Sequence, residues 1–123
     1  MKKVLLQIKK IKMVALAMVA MLLFPVMADV SNPHIYNVTL TEANKEYSQA
    51  LPDNAVMITV QCRTAYAVRL AFETGKVATP TAPYATIKSG NVYYDTGLKS
   101  KNTIYLASAQ AGVVVEIIVW GLD

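Results

Sequence analysis

The sequence predicts an all-β protein: one small antiparallel β-sandwich of about seven to eight short strands, set behind an N-terminal apolar segment. Three observations lead there. Short runs that alternate apolar and polar residues recur along the chain, with turn signals between them. The stretch Gly112–Trp120 reads Gly-Val-Val-Val-Glu-Ile-Ile-Val-Trp, nearly all β-branched or aromatic, the side chains that suit a pleated surface. The chain has 123 residues, enough for one domain, and shows no internal repeat, heptad or low-complexity tract.

The first 28 residues read as a leader rather than as domain. Lys2, Lys3, Lys9, Lys10 and Lys12 make a basic start, and Met13–Phe24 is an unbroken apolar run. Pro25 and Val26-Met27-Ala28 then give a small-residue exit, so the segment describes a secretory signal peptide cut after Ala28. The alternative is an uncleaved membrane anchor. Twelve helical residues rise about 18 Å, short of a roughly 30 Å hydrocarbon core, which favours cleavage. No cysteine stands at the exit for lipid attachment, and the Gly-Phe-Thr-x-x-Glu pattern of type IV pilins is absent. The expected domain is therefore residues 29–123, in an exported location: periplasm, cell surface or outside the cell.

Removing the leader changes the charge. Formal net charge is +4 for the whole chain, but residues 29–123 hold seven basic and eight acidic residues, a net charge of −1. The basicity belongs to the leader and is no argument for nucleic acid. Membrane contact is expected only through the N-terminal segment, if it is retained. Cys62 is the one cysteine, so no disulfide forms within the chain. It falls in phase with Val56, Ile58 and Val60, which predicts burial.

The elements follow in order. Asn32-Pro33 is turn-prone, and His34–Leu40 alternates with Tyr36, Val38 and Leu40 on one face. Thr41–Ala50 reads as an irregular crossing or edge strand with Tyr47 and Leu51 tucked inward; Pro52-Asp53-Asn54 is a turn. Ala55–Arg63 is the clearest alternating strand, with Val56, Ile58, Val60 and Cys62 inward. Val68, Leu70 and Phe72 point inward on the next. A short Thr64-Ala65-Tyr66 loop predicts a hairpin between these two, setting Arg63 opposite Ala67, Gln61 opposite Arg69, Ile58 opposite Phe72 and Met57 opposite Glu73. Thr74–Pro83 is the longest loop. Short strands at Tyr84–Lys88 and Val92–Tyr94 flank a Ser89-Gly90-Asn91 turn. Thr103–Ala107 is a strand with Ile104 and Leu106 on one face and Tyr105 on the other. Ala109–Gly112 turns into the last strand, apolar on both faces except at Glu116. A strand of that kind belongs in the centre of a sheet. A short buried helix is the alternative, disfavoured by four valines and two isoleucines within nine residues.

Chemistry is thinly represented. His34 and Cys62 are a conceivable base and nucleophile, but Cys62 is expected inside and His34 at a strand start. One His and one Cys do not make a zinc site, and the acidic residues are too scattered for a calcium loop. Gly-rich phosphate loops and Gly-x-Ser-x-Gly are absent. Glu42 with Glu46, or Glu73 with Asp95, are the carboxylate pairs to check for sugar hydrolysis; solvated surface carboxylates are the simpler reading. No cofactor and no catalytic residue is expected. Tyrosine is the enriched type, with seven, and Tyr66, Tyr84, Tyr93 and Tyr94 flank turns. Aromatic rings there either close the ends of the sandwich or contact a ligand or partner.

Several segments carry a family resemblance. Leu51-Pro52, Ile58-Thr-Val-Gln-Cys-Arg63, Val68-Arg-Leu-Ala-Phe-Glu-Thr-Gly75, Ala82-Pro-Tyr84, Ile104-Tyr-Leu-Ala-Ser108 and Val115-Glu-Ile-Ile-Val-Trp120 resemble small β-rich structural proteins of tailed-phage and prophage particles. The resemblance runs over roughly Val38–Trp120. It implies a compact sandwich that assembles on a particle or with copies of itself, and it brings no catalytic residues. The leader departs from that pattern, since virion parts assemble in the cytoplasm. Either the domain serves an exported role or Met1–Ala28 does something other than secretion. Two readings result: a non-enzymatic structural or assembly protein partnered by itself or another structural protein, and a small exported binding module for carbohydrate or protein.

Overall fold

The computed structural model of the chain describes residues 32–99 and 102–122. The leader expected at residues 1–28 lies outside them. The described residues form eight strands and no helix: β1 (His34–Leu40), β2 (Tyr47–Ala50), β3 (Ala55–Cys62), β4 (Val68–Ala71), β5 (Ala85–Ile87), β6 (Val92–Asp95), β7 (Thr103–Ala107) and β8 (Val113–Gly121). They pair antiparallel in two four-stranded sheets, ordered β1-β8-β3-β6 and β2-β7-β4-β5. Except between β4 and β5, each connection crosses from one sheet to the other. Eight strands interleaved in this way are a jelly roll, the two-Greek-key form of the sandwich.

Valine and isoleucine decide the layering. On β8, Val113, Val115, Ile117 and Val119 are fully buried and alternate with half-buried Val114, Glu116, Ile118 and Trp120. This strand is central in its sheet, paired with β1 and β3, as its two apolar faces require. Opposite it, Val68 and Leu70 from β4 and Ile104 and Leu106 from β7 complete the core, with Leu40, Leu51, Ile58 and Val60. Turn chemistry sits where the sequence places it. Gly90 (φ 80°) and Gly112 (φ 77°) occupy the left-handed region that glycine enters without a Cβ clash. Gly112 N–H donates to Leu40 C=O at 2.8 Å, tying the turn before β8 to the end of β1.

Four expectations fail. The hairpin between the third and fourth strands does not form. β3 pairs with β6 and β8, so Gln61 faces Val92 and Glu116, while Arg69 on β4 faces Thr86 and Ala107. Alternation fixes which face of a strand turns inward, but inward residues meet equally well across the gap between sheets as along a ladder. Phe72 does not point into the core; β4 ends at Ala71 and the Phe72 ring is 40 % exposed. Cys62 is half-buried against the rim of the core, its Sγ 3.1 Å from Thr64 Oγ1. A register shift between Ala55 and Met57 moves Val56 off the inward position, which Ala55 takes instead.

The outer faces of the two sheets differ. Residues 72–83 fold over the second sheet. Val77, fully buried, packs with Ala71, Ala107 and Tyr105. Arg69 reaches under the same loop to Asn44 Oδ1 at 2.8 Å and Ala78 C=O at 3.5 Å. Thr74 Oγ1 and Gly75 N–H both donate to the Glu46 carboxylate, at 2.8 Å for each closest contact. Over the first sheet no described segment plays that part.

Candidate functional site

Two surface regions have the composition of a contact site. The first is the outer face of sheet β1-β8-β3-β6. Ladder register places Ile35, Ile118, Thr59 and Tyr94 in one row across the four strands. The next row holds Trp120 opposite Met57, and the Tyr94 hydroxyl reaches the Met57 sulfur at 3.9 Å. Ile35 is 64 % exposed and Tyr94 61 %. The row on the other side, Asn37-Glu116-Gln61-Val92, is mostly polar and closed on itself. Gln61 Nε2 donates to Glu116 Oε2 at 2.7 Å, Arg63 Nε to Glu116 Oε1 at 2.7 Å and Arg63 Nη2 to Asn37 Oδ1 at 2.8 Å. The hydrogen bond from Gln61, then the one from Arg63, holds the Glu116 carboxyl below its ordinary range. The face is thus half apolar and half a neutralised polar knot.

The second region is a cleft at the end of the sandwich where the chain leaves β4 and returns into β5, walled on one side by β6. Leu70 forms its floor, and Phe72, Tyr84 and Tyr93 present their rings to a hollow of about 240 Å³. The Phe72 and Tyr93 ring centroids lie 6.5 Å apart, tilted at 54°. Phe72 also borders a second hollow of about 200 Å³, lined by Asp95 and Asn102 among others. Asp95 is fixed there: Oδ2 accepts from the Tyr93 hydroxyl at 3.0 Å and Oδ1 from Gly97 N–H at 2.8 Å. Burial, together with that bond to a carboxylate, raises the Tyr93 hydroxyl above its ordinary range.

Of the four tyrosines singled out from sequence, Tyr84 and Tyr93 meet at the cleft. Tyr94, next to Tyr93, points to the opposite side of β6 and joins the outer face. Tyr66 stands apart in the turn after β3, exposed, its N–H bonded to Thr64 C=O. Sequence reasoning missed Phe72, which it read as core, and weighed Asp95 only as half of a carboxylate pair with Glu73. A signal was present at Phe72, which sits beside Glu73-Thr74-Gly75, where a strand is about to end.

The carboxylate pairs are otherwise engaged. Glu42 bonds Lys45, Glu46 holds the loop at Gly75, Glu73 approaches Lys76 at 3.9 Å and Asp95 holds Tyr93. His34 faces Val119, and Cys62 faces Val115 at the other end of the same strand. Among the described residues no three His, Cys, Asp or Glu side chains gather where a metal ion could be held.

No family model matches the sequence, and no curated protein does. Among solved structures, the chain is similar to a de novo designed double-stranded β-helix determined by solution NMR, with 14 % identity and a TM-score of 0.45 over 73 % of this chain and 99 % of that one.

Proposed function

We propose that this chain is a non-enzymatic, exported structural protein that assembles with copies of itself through the outer face of its first sheet. One observation carries the reading. The second sheet has its outer face covered by the chain's own loop around Val77, whereas the first sheet leaves Ile35, Ile118, Trp120, Met57 and Tyr94 in adjoining rows with Ile35 and Tyr94 mostly exposed. A sandwich face turned to water is ordinarily polar, and a contiguous apolar patch rimmed by polar groups is the composition of an interface. A second copy suits the patch because its one carboxylate and one guanidinium neutralise each other, 2.6 Å apart. Such a face asks for no countercharge and meets its own image without repulsion. Assembly of this kind is also what the resemblance to phage-particle proteins implies, with export added by the leader.

The test is light scattering after gel filtration, over a range of concentrations, of the chain as recovered from expression with its signal route intact. An oligomer that dissociates on dilution is expected. Ile35→Lys is expected to shift it to monomer without unfolding, since Ile35 lies on an edge strand and is exposed. A monomer at every concentration, or an oligomer indifferent to Ile35→Lys, refutes assembly through this face. Intact mass of the same sample, lower by residues 1–28, checks the export reading separately.

A further inference from the structure

The cleft between β4, β5 and β6 lies on the far side of β6 from the proposed assembly face, and its composition calls for a different occupant. We propose that it is a carbohydrate-binding site, taking hexose units of a glycan chain with a pyranose face against Phe72 and Tyr84 and hydroxyls directed to Asp95 and Asn102. Rings that merely close the end of a sandwich are buried by doing so. Tyr93 does pack on the core, but Phe72 and Tyr84 stand outside it, each 40 % exposed, with their rings on the hollow. Aromatic area left in water beside a concave surface is what a sugar's C–H face covers. The polar half is built rather than incidental. Asp95 is held through both oxygens, by Tyr93 and by Gly97, yet a carboxylate accepts about four hydrogen bonds, so lone pairs remain for hydroxyl donors. Asn102 commits its amide N–H to Lys99 C=O and keeps its side-chain oxygen as an acceptor. The ligand must then be apolar on one face and hydroxylated on its rim. The two hollows, about 240 and 200 Å³, adjoin at Phe72, which lines both.

The experiment is a backbone amide NMR titration of the whole chain with cellohexaose, maltohexaose and chitohexaose, and with decaproline as the rival that aromatic grooves also accept. The expected result is saturable shifts at Phe72, Ala85 and Tyr93–Gly97 with at least one oligosaccharide, at affinities near 1 mM. Tyr84→Ala and Asp95→Asn are each expected to weaken binding about tenfold with the rest of the spectrum unchanged. Trp120, on the assembly face, is expected to stay silent. No saturable shift with any of the three sugars overturns the proposal. So do shifts confined to the outer face, tighter binding of decaproline at the cleft, and an affinity indifferent to Tyr84→Ala.

Discussion

Val77→Ala tests whether the second sheet is sealed by its own loop. Val77 is fully buried among Ala71, Ala107 and Tyr105, and the residues around it are otherwise exposed or half-buried. The substitution removes two methyl groups. At about 0.8 kcal/mol each the lost transfer free energy is roughly 1.6 kcal/mol, and the cavity left under a loop held at Glu46 and Arg69 brings the cost to about 2–3 kcal/mol. That cost falls on one of two equilibria. If the loop opens only with the whole domain, the midpoint of thermal unfolding drops by about 4–8 °C for each kcal/mol in a domain of this size. If the loop opens by itself, the melting temperature holds while trypsin cleavage after Lys76 speeds up by roughly 30-fold or more, because fast local opening makes cleavage follow the open population. Lys76 is half-buried, with its ammonium on Ala82 C=O at 3.3 Å, so the site is shielded until the loop lifts. Calorimetry and timed proteolysis on the same sample separate the two routes. A variant that neither melts earlier nor is cut faster means that Val77 does not hold the loop down, and the contrast between a covered and a bare sheet loses its basis.

Two further substitutions probe the first sheet. Cys62→Ser is expected to cost under about 1 kcal/mol by chemical denaturation, since the side chain is half-buried and a serine hydroxyl can bond Thr64 Oγ1 in place of the thiol; a loss of several kcal/mol would show the site to be closed to water. Glu116→Gln is expected to flatten the acid limb of the stability curve. Its carboxyl is held below the 4.5 of an ordinary glutamate, so the stability it contributes is complete above that value and disappears as pH falls through the folded-state one. Parallel acid denaturation of both proteins measures the difference, and superimposable acid limbs would mean that the contacts with Gln61 and Arg63 carry no linkage.

Strand positions were legible in the residues because burial in a sandwich imposes a two-residue period; His34–Leu40 and Val113–Gly121 keep it throughout, and β3 keeps it beyond its register shift. The central place of β8 was legible too, since valines and isoleucines on both its faces fit no edge. Partner choice was not. The side chains of Ile58 and Phe72 match as well across an imagined hairpin as Ile58 and Val119 do in the real ladder, and no local signal tells a turn from a crossing to the other sheet. The cleft was half legible. Tyr84 and Tyr93 stand out beside turns, but Phe72 joins them only because β4 stops one residue earlier than its alternation suggests. Asp95 joins only because β6 runs one residue further. Boundary shifts of that size are invisible to periodicity and decisive for a site.

The pairing of β1 with β8 also governs when this domain can exist. Its first sheet has the last strand between the first and the third, so a nascent chain that has emerged through Ala107 owns no complete β1-β8-β3 ladder. Contacts of such sequence separation form late and slowly, and until Val113–Gly121 arrives the apolar sides of β1 and β3 stay unpaired. Any machinery that takes hold of the polypeptide before Val113–Gly121 emerges therefore meets a chain whose first sheet still lacks its central strand. The same wiring makes a truncation before Val113 worse than the loss of an edge: it takes the middle out of a sheet and leaves two strand edges open to whatever chain is nearest.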